Sequence, residues 1–369
     1  MRRLCRQPTV PRLSAVDAAG PAFKRVGAVL LPFRLRSWIK MGFIGWLAGG
    51  VVTVGLNFRG PVIPRQFPGG SDDPFKGINE AIRSIRFEQI AGFMALLVVV
   101  LLIGLIVSLI FVYLFSRFRF ILFDSVISGQ VVVGRGWLRY RDQGNRYFLF
   151  WLVFHLASLV ALWFLVGVPI WHAYKRGVFQ GDQPLFAFLD LLATIGLGLL
   201  AYGLVAGVVS TLAKDFIMPM MALDNLSIGQ AFSALREYIA AEPGAWAGYF
   251  GMKLALAVGA GIAMGIASVF AFLVLFLVLM IPVAVLILLG VLAMKAAAVL
   301  GIAIFALTGL GVVIACFCMA FCLMAPVSVF FAAYAFYFFG GRYPRLGGLL
   351  WPQPPPPAPP TLATSTVAP

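Results

Sequence analysis

Four ionisable residues, His155, Asp190, Lys253 and Lys295, fall within or at the edges of long hydrophobic runs. A lone charge at the centre of a bilayer costs at least about 2.5–3.5 kcal/mol, so a charge there marks an ion or proton path unless it reaches polar surroundings. Asp190 lies about one turn into its run, close enough to the outer surface to be solvated. Lys253 sits about two turns into the next run and is long enough to snorkel inward, and Lys295 can end a helix. His155, Asp190 and Lys253 form the candidate intramembrane polar site. Other chemistry is sparse. His155 and His172 have no acid near them in sequence, and a metal site needs several ligands at defined spacing. Cys316, Cys318 and Cys322 crowd one run, where small apolar thiols packed in lipid are preferred to a soft-metal site. There is no Gly-Lys-Ser loop and no Gly-x-Ser-x-Gly. No catalytic residue, cofactor or metal is expected, and the chain does not read as an enzyme.

The elements that would carry these residues follow from composition. The chain has 369 residues, 62% hydrophobic and 11% charged, against about 45–50% and about 25% in soluble domains. Long apolar runs place spans near 41–58, 90–115, 148–171, 185–212, 246–272 and 296–323. The segment 273–294, with Pro282 inside it, reads as re-entrant or tilted; counting it as a full span gives seven and puts Arg342 outside. The expectation is an all-α integral membrane protein with about six transmembrane helices in three pairs, separated by amphipathic in-plane helices. Residues 1–20 read as a disordered tail, 21–340 as the membrane domain, and 341–369, with PQPPPPAPP, as a Pro-rich disordered tail.

A repeated phrase marks the pairs. Asp124 to Gln130 and Asp224 to Gln230 share Asp, four residues, then Gly-Gln, one hundred residues apart. In the second copy Ser227 and Gln230 have capping-box spacing. Phe232, Leu235 and Ile239 then share a face opposite Ser233, Arg236 and Glu237. In the first copy Val133, Trp137 and Tyr140 oppose Arg135, Arg139 and Asp142, and Ile127 occupies the cap position. Asp124 and Asp224 are expected to accept backbone donors at the turns.

Lys and Arg placement orients the chain. The first forty residues carry nine cations against Asp17, while 59–89 holds five cations and four acids. The 116–146 connector holds Arg117, Arg119, Arg135, Arg139, Arg141 and Arg146 against two acids. That alternation, with Arg342 and Arg345 after the last run, predicts both termini in the cytoplasm. Arg117, Arg119, Arg135, Arg139 and Arg146 form a candidate lipid-headgroup rim. The net charge of +15 reads as a face meeting anionic membrane lipid, not nucleic acid. The function classes in play are an accessory module binding lipid or a membrane protein partner, and a small-solute or ion transporter built on the pseudo-repeat.

The stretches AFKRVGAVLLPFRLRSWIKMGFIGWLAGG, RFRFILFDSV and FIMPMMALDNLSIGQAFSAL resemble uncharacterised bacterial integral membrane proteins. These are distantly similar to the membrane domain that precedes some glycerophosphoryl diester phosphodiesterases. The resemblance covers roughly residues 20–340 and implies the bacterial inner membrane. In those phosphodiesterases the chemistry belongs to a separate soluble barrel, so no catalytic residue carries over.

Overall fold

A computed structural model of the chain describes residues 11–49, 87–131, 133–175 and 184–352. Among these, every regular element is helical. In chain order they are α1 (Ala19–Leu30), α2 (Leu35–Leu47), α3 (Phe87–Ser128), α4 (Val133–Arg139), α5 (Arg141–Leu162) and α6 (Val168–Lys175). Then follow α7 (Pro184–Leu212), α8 (Met218–Asp224), α9 (Ile228–Ala241), α10 (Pro243–Ala296), α11 (Ala298–Gly340) and α12 (Pro344–Leu350). Single π turns, Trp163–Gly167 and Ala213–Ile217, join α5 to α6 and α7 to α8 without a break. Five of the resulting rods are long and apolar enough to cross a membrane.

Both π turns have the same local cause. Proline has no N–H and its ring crowds the carbonyl four residues back. Pro169 faces the carbonyl of Leu165 and Pro219 that of Asp215, each at the middle of its π turn. The helix widens there and continues.

Each long helix changes character along its length. From Val98 to Phe111, α3 presents exposed aliphatic side chains, whereas Ser116–Phe123 is continuously buried. The same change occurs in α11, exposed around Ile302–Leu310 and buried over Val329–Phe336. The buried ends are rich in aromatics, which fill space between converging helices and engage one another edge-on. Phe216, Trp246, Tyr249, Phe338 and Phe339 form one such cluster, with ring centroids 4.6–6.3 Å apart. The packed core therefore gathers at one end of the bundle, and the apolar halves of the rods project from it.

Short helices close that end. Arg25 of α1 donates from Nε to the Val126 carbonyl at 2.7 Å and from Nη2 to that of Ile127, capping α3. Gly42 and Gly45 let α2 lie directly on α11; a Cβ on Gly42 would stand 1.8 Å from the Phe321 carbonyl oxygen. The Ser227–Gln230 capping box is present: Gln230 N donates to Ser227 Oγ at 3.4 Å, and Ser227 N donates to Gln230 Oε1 at 3.0 Å. As the periodicity predicts, Leu235 is buried and Ser233, Arg236 and Glu237 are exposed.

Three expectations change. The segment 273–294 is not a separate arm: α10 runs continuously through Pro282 to Ala296. The last expected span, 296–323, does not stop there: α11 runs on through Pro326 to Gly340 and supplies much of the core. The part of the 116–146 connector that carries the rim candidates Arg117 and Arg119 belongs to α3, which runs to Ser128, and is mostly buried. In the first two cases the reason is the same: a single proline inside an apolar run bends or widens a helix more readily than it ends it. The first expected span, 41–58, is described only to residue 49. Segment 59–89 up to residue 86, and residues 1–10 and 353–369, lie outside the described residues.

Candidate functional site

Where the core meets the projecting rods, four ionisable side chains converge. Asp215, on the π turn before α8, is 2% exposed. Its Oδ1 takes Arg119 Nη2 of α3 at 3.3 Å, and its Oδ2 takes the Tyr249 hydroxyl of α10 at 2.8 Å. Lys253, one helical turn beyond Tyr249, pairs with the same Oδ2. Arg119 also donates from Nε and Nη2 to the Lys214 carbonyl at 3.3 and 3.1 Å, and from Nη1 to the Ala48 carbonyl at 3.4 Å.

The backbone explains why Arg119 is needed. In a π register the Lys214 carbonyl would receive the N–H of residue 219, but that residue is proline. Ala48 caps the C-terminus of α2, where carbonyls also lack helical partners. One guanidinium, with donors in a fixed fork, satisfies both and holds the carboxylate. Gly49 ends α2 at φ +68°, a left-handed conformation suited to glycine, and a Cβ there would meet the Phe115 ring at 2.3 Å.

Lys214 is the odd member. Its Nζ lies 5.4 Å from the ring centroids of both Phe115 and Trp151. Among the described residues it makes no salt bridge. Aromatic faces attract a cation more weakly than a carboxylate does. The site thus holds three cations against one carboxylate.

Two clefts meet at Lys214 and Gly49. The first, about 290 Å³, lies between α2, α3 and α5 and is lined by Trp46, Phe111, Phe115, Trp151 and His155. The second, about 310 Å³, lies between α7, α10 and α11. Arg119, Asp215 and Lys253 stand at its inner end, and Gly203, Leu204, Gly207 and Leu254 line it further out. The arrangement can bind an anion at the shared lysine, with apolar walls leading away from it.

Of the expected polar site, the structure brings His155 to the first cleft and Lys253 to the second. Asp190 stands apart, exposed near the start of α7. His155 Nδ1 lies 2.6 Å from the Trp151 carbonyl. The expected rim divides. Arg135, Arg139 and Arg146 are exposed, but Arg117 and Arg119 are buried at 4% and 6%. Arg117 packs between the Tyr113 and Trp137 rings, 5.3 Å from each centroid, and donates to Asn145 Oδ1 at 3.1 Å. Their helix carries them inward among aromatics, where stacking and carbonyl acceptors replace lipid phosphates.

The repeat aspartates take side chains in place of the expected backbone donors. Asp124 lies 3.8 Å from Arg139, and Asp224 pairs with Arg345 and receives the Tyr343 hydroxyl. Burial, reinforced by that hydrogen bond, pushes the Tyr343 hydroxyl well above its ordinary range. Gln130 N donates to Ser128 Oγ at 3.2 Å, so the first copy has its serine one residue later than the second.

Arg119, Lys214, Asp215 and Tyr249 were missed as a site in the sequence. The available signal was a Lys-Asp pair with apolar sequence on both sides and a proline four residues on, which keeps both residues in a continuing helix.

Comparison with known proteins finds no match among curated proteins and none among solved structures. No tie to glycerophosphoryl diester phosphodiesterases emerges from these matches. One family model matches residues 13–349, spanning both clefts and all the helices that build them. The chain belongs to that family, a family of unknown function designated DUF7544.

Proposed function

We propose that this chain is a multi-pass inner-membrane module that binds an anionic group, of the phosphate type, at Lys214 and Lys253. It acts as a binding accessory, not as an enzyme. The observation that carries this reading is the excess of cations at the cleft: among the described residues Lys214 has only aromatic faces for partners, while Asp215 already holds Arg119, Tyr249 and Lys253. A charge held out of water gains most from an anion that reaches it. Raising phosphate at constant ionic strength should raise the melting temperature of the detergent-purified protein by ligand linkage. Lys214→Gln should abolish that response. An equal response to chloride in both proteins would sink the reading.

The topology proposed with it is six crossings with both termini cytoplasmic. Arg12 pairs with Glu242 at 2.9 Å, and Arg342 bonds Glu242 Oε2 at 3.0 Å and the Leu13 carbonyl at 3.1 Å. The beginning and end of the described chain thus lie at the packed end. α2 also ends there, whereas α3 starts about 45 Å away along its own axis. Reporter fusions after Gly144 and Gly341 should then report the cytoplasm, and one after residue 70 the outside. Opposite signals from Gly144 and Gly341 would overturn an even count. The partners proposed are anionic lipids, with Arg135, Arg139 and Arg146 as the remaining exposed rim.

A transporter is the second reading. The two clefts adjoin at one lysine and open between different helices, which is how a passage past Lys214 would look. Ion or solute flux in proteoliposomes, lost in Lys214→Gln, would favour it over binding alone.

A further inference from the structure

We infer that the ligand of the second cleft is an anionic phospholipid, taken sideways from the bilayer with its headgroup at Lys214 and Lys253 and one acyl chain along α7. This rests on the anion-binding reading and adds the source of the anion. The argument is the shape of the cleft. A free phosphate needs only the charged inner end. The cleft instead follows α7 from Asp215 outward through Thr211, Val208 and Gly207 to Gly203. Twelve residues of helix make that slot about 18 Å long. One leaflet of a bilayer contributes about half of a 30 Å hydrocarbon core, or about 15 Å. The slot therefore has the length of one leaflet, with charge at one end only.

Its walls agree. Gly203 and Gly207 lie one turn apart on the same face of α7, and a Cβ on either would meet nothing within 4 Å. These glycines are not required for helix packing; they keep a trough empty. Leu204 and Leu254 flank it on α7 and α10 and are 66% and 68% exposed, so the opening faces an apolar surface. Lys253 is 18% exposed at the inner end, able to face a headgroup while its partner Asp215 stays buried. Two lysines, a trough free of side chains and a sideways apolar mouth fit an amphiphile better than a soluble ion.

The test uses the full-length protein, delipidated in mild detergent, and native mass spectrometry. The probes are phosphatidylglycerol, its deacylated headgroup glycerophosphoglycerol, and phosphatidylcholine. Phosphatidylglycerol should bind at least about tenfold more tightly than the deacylated headgroup, because a few buried methylenes suffice for that ratio. It should also bind more tightly than phosphatidylcholine. Gly207→Leu, or Gly203→Leu should the first misfold, fills the trough and should remove that advantage while leaving headgroup binding unchanged. Lys214→Gln should weaken both, and Lys214→Arg should restore both. If Gly207→Leu keeps the full lipid affinity, or the headgroup alone binds as tightly as the lipid, the lipid inference falls and the anion site stands. If Lys214→Gln binds both probes like the wild type, the anion site falls and the lipid inference with it.

Discussion

Asp215→Asn is the sharpest test of how the site is held. The change preserves size and leaves one carbonyl oxygen, but it removes the carboxylate that faces three cations, of which Arg119 is buried and Lys214 and Lys253 are half-buried. It also turns an NH₂ group toward one of the two sides from which Arg119 donates at 3.3 Å and Tyr249 at 2.8 Å. Breaking a buried ion pair from one side costs about 3–5 kcal/mol, because the remaining charges stay buried and unopposed. Against a typical total of about 5–15 kcal/mol, that is a large share of the stability. The assay is unfolding in mild detergent followed by tryptophan fluorescence, since Trp246 packs 4.7 Å from Phe216, the neighbour of Asp215. Lys253→Met removes one of the cations, so the double variant should lose less than the sum of the two singles, with a coupling of about 0.5–3 kcal/mol. An Asp215→Asn protein within about 0.5 kcal/mol of wild type, the range of ordinary surface changes, would refute the reasoning.

Gly42→Ala should destabilise by about 1–3 kcal/mol, because the added methyl meets the Phe321 backbone and α2 must shift off α11; the same unfolding assay reads it. Ser227→Ala should cost about 1 kcal/mol by removing the cap of α9, and Ser227→Gly only a few tenths; equal losses would argue against the capping box. Arg135→Gln with Arg139→Gln should reduce co-purified anionic lipid, more at low salt than at high, since both side chains are exposed at the rim. The same lipid complement in that double variant would reduce the rim to a topology signal.

What was legible in the sequence was what local rules govern. Runs such as Leu101–Phe115 announce apolar helices, and Ser227 with Gln230 announces a helix start, because each depends on residues within a few positions. Lys253 could be flagged for the same reason, as a cation inside an apolar run. Asp215 escaped because the run was closed at Leu212, which put Lys214 and Asp215 into a connector. Only a continuing helix brings them opposite α3 and α10. Arg119 was read as one more positive-inside residue, since the neighbours that draw it inward, Ala48 and Lys214, are 71 and 95 residues away. The partner of Asp224, Tyr343, is 119 residues distant, so the repeated aspartate was visible and its function was not.

The continuity of α10 has a mechanical consequence. Between Lys253 and Lys295 it carries no charged residue, a stretch of about 60 Å of helix axis. The hydrocarbon of one bilayer is about 30 Å deep. Its partner α11 is uncharged along its whole length, so the hairpin has no polar collar to fix its depth. Such an arm must lean, flex at Pro282 or draw the bilayer thicker around it, each at a modest cost per ångström of mismatch. On the proposed topology membrane thickness becomes a variable for this protein: in bilayers of longer acyl chains the arm is expected to stand straighter, and in short-chain bilayers to tilt about the packed end where Lys253 sits.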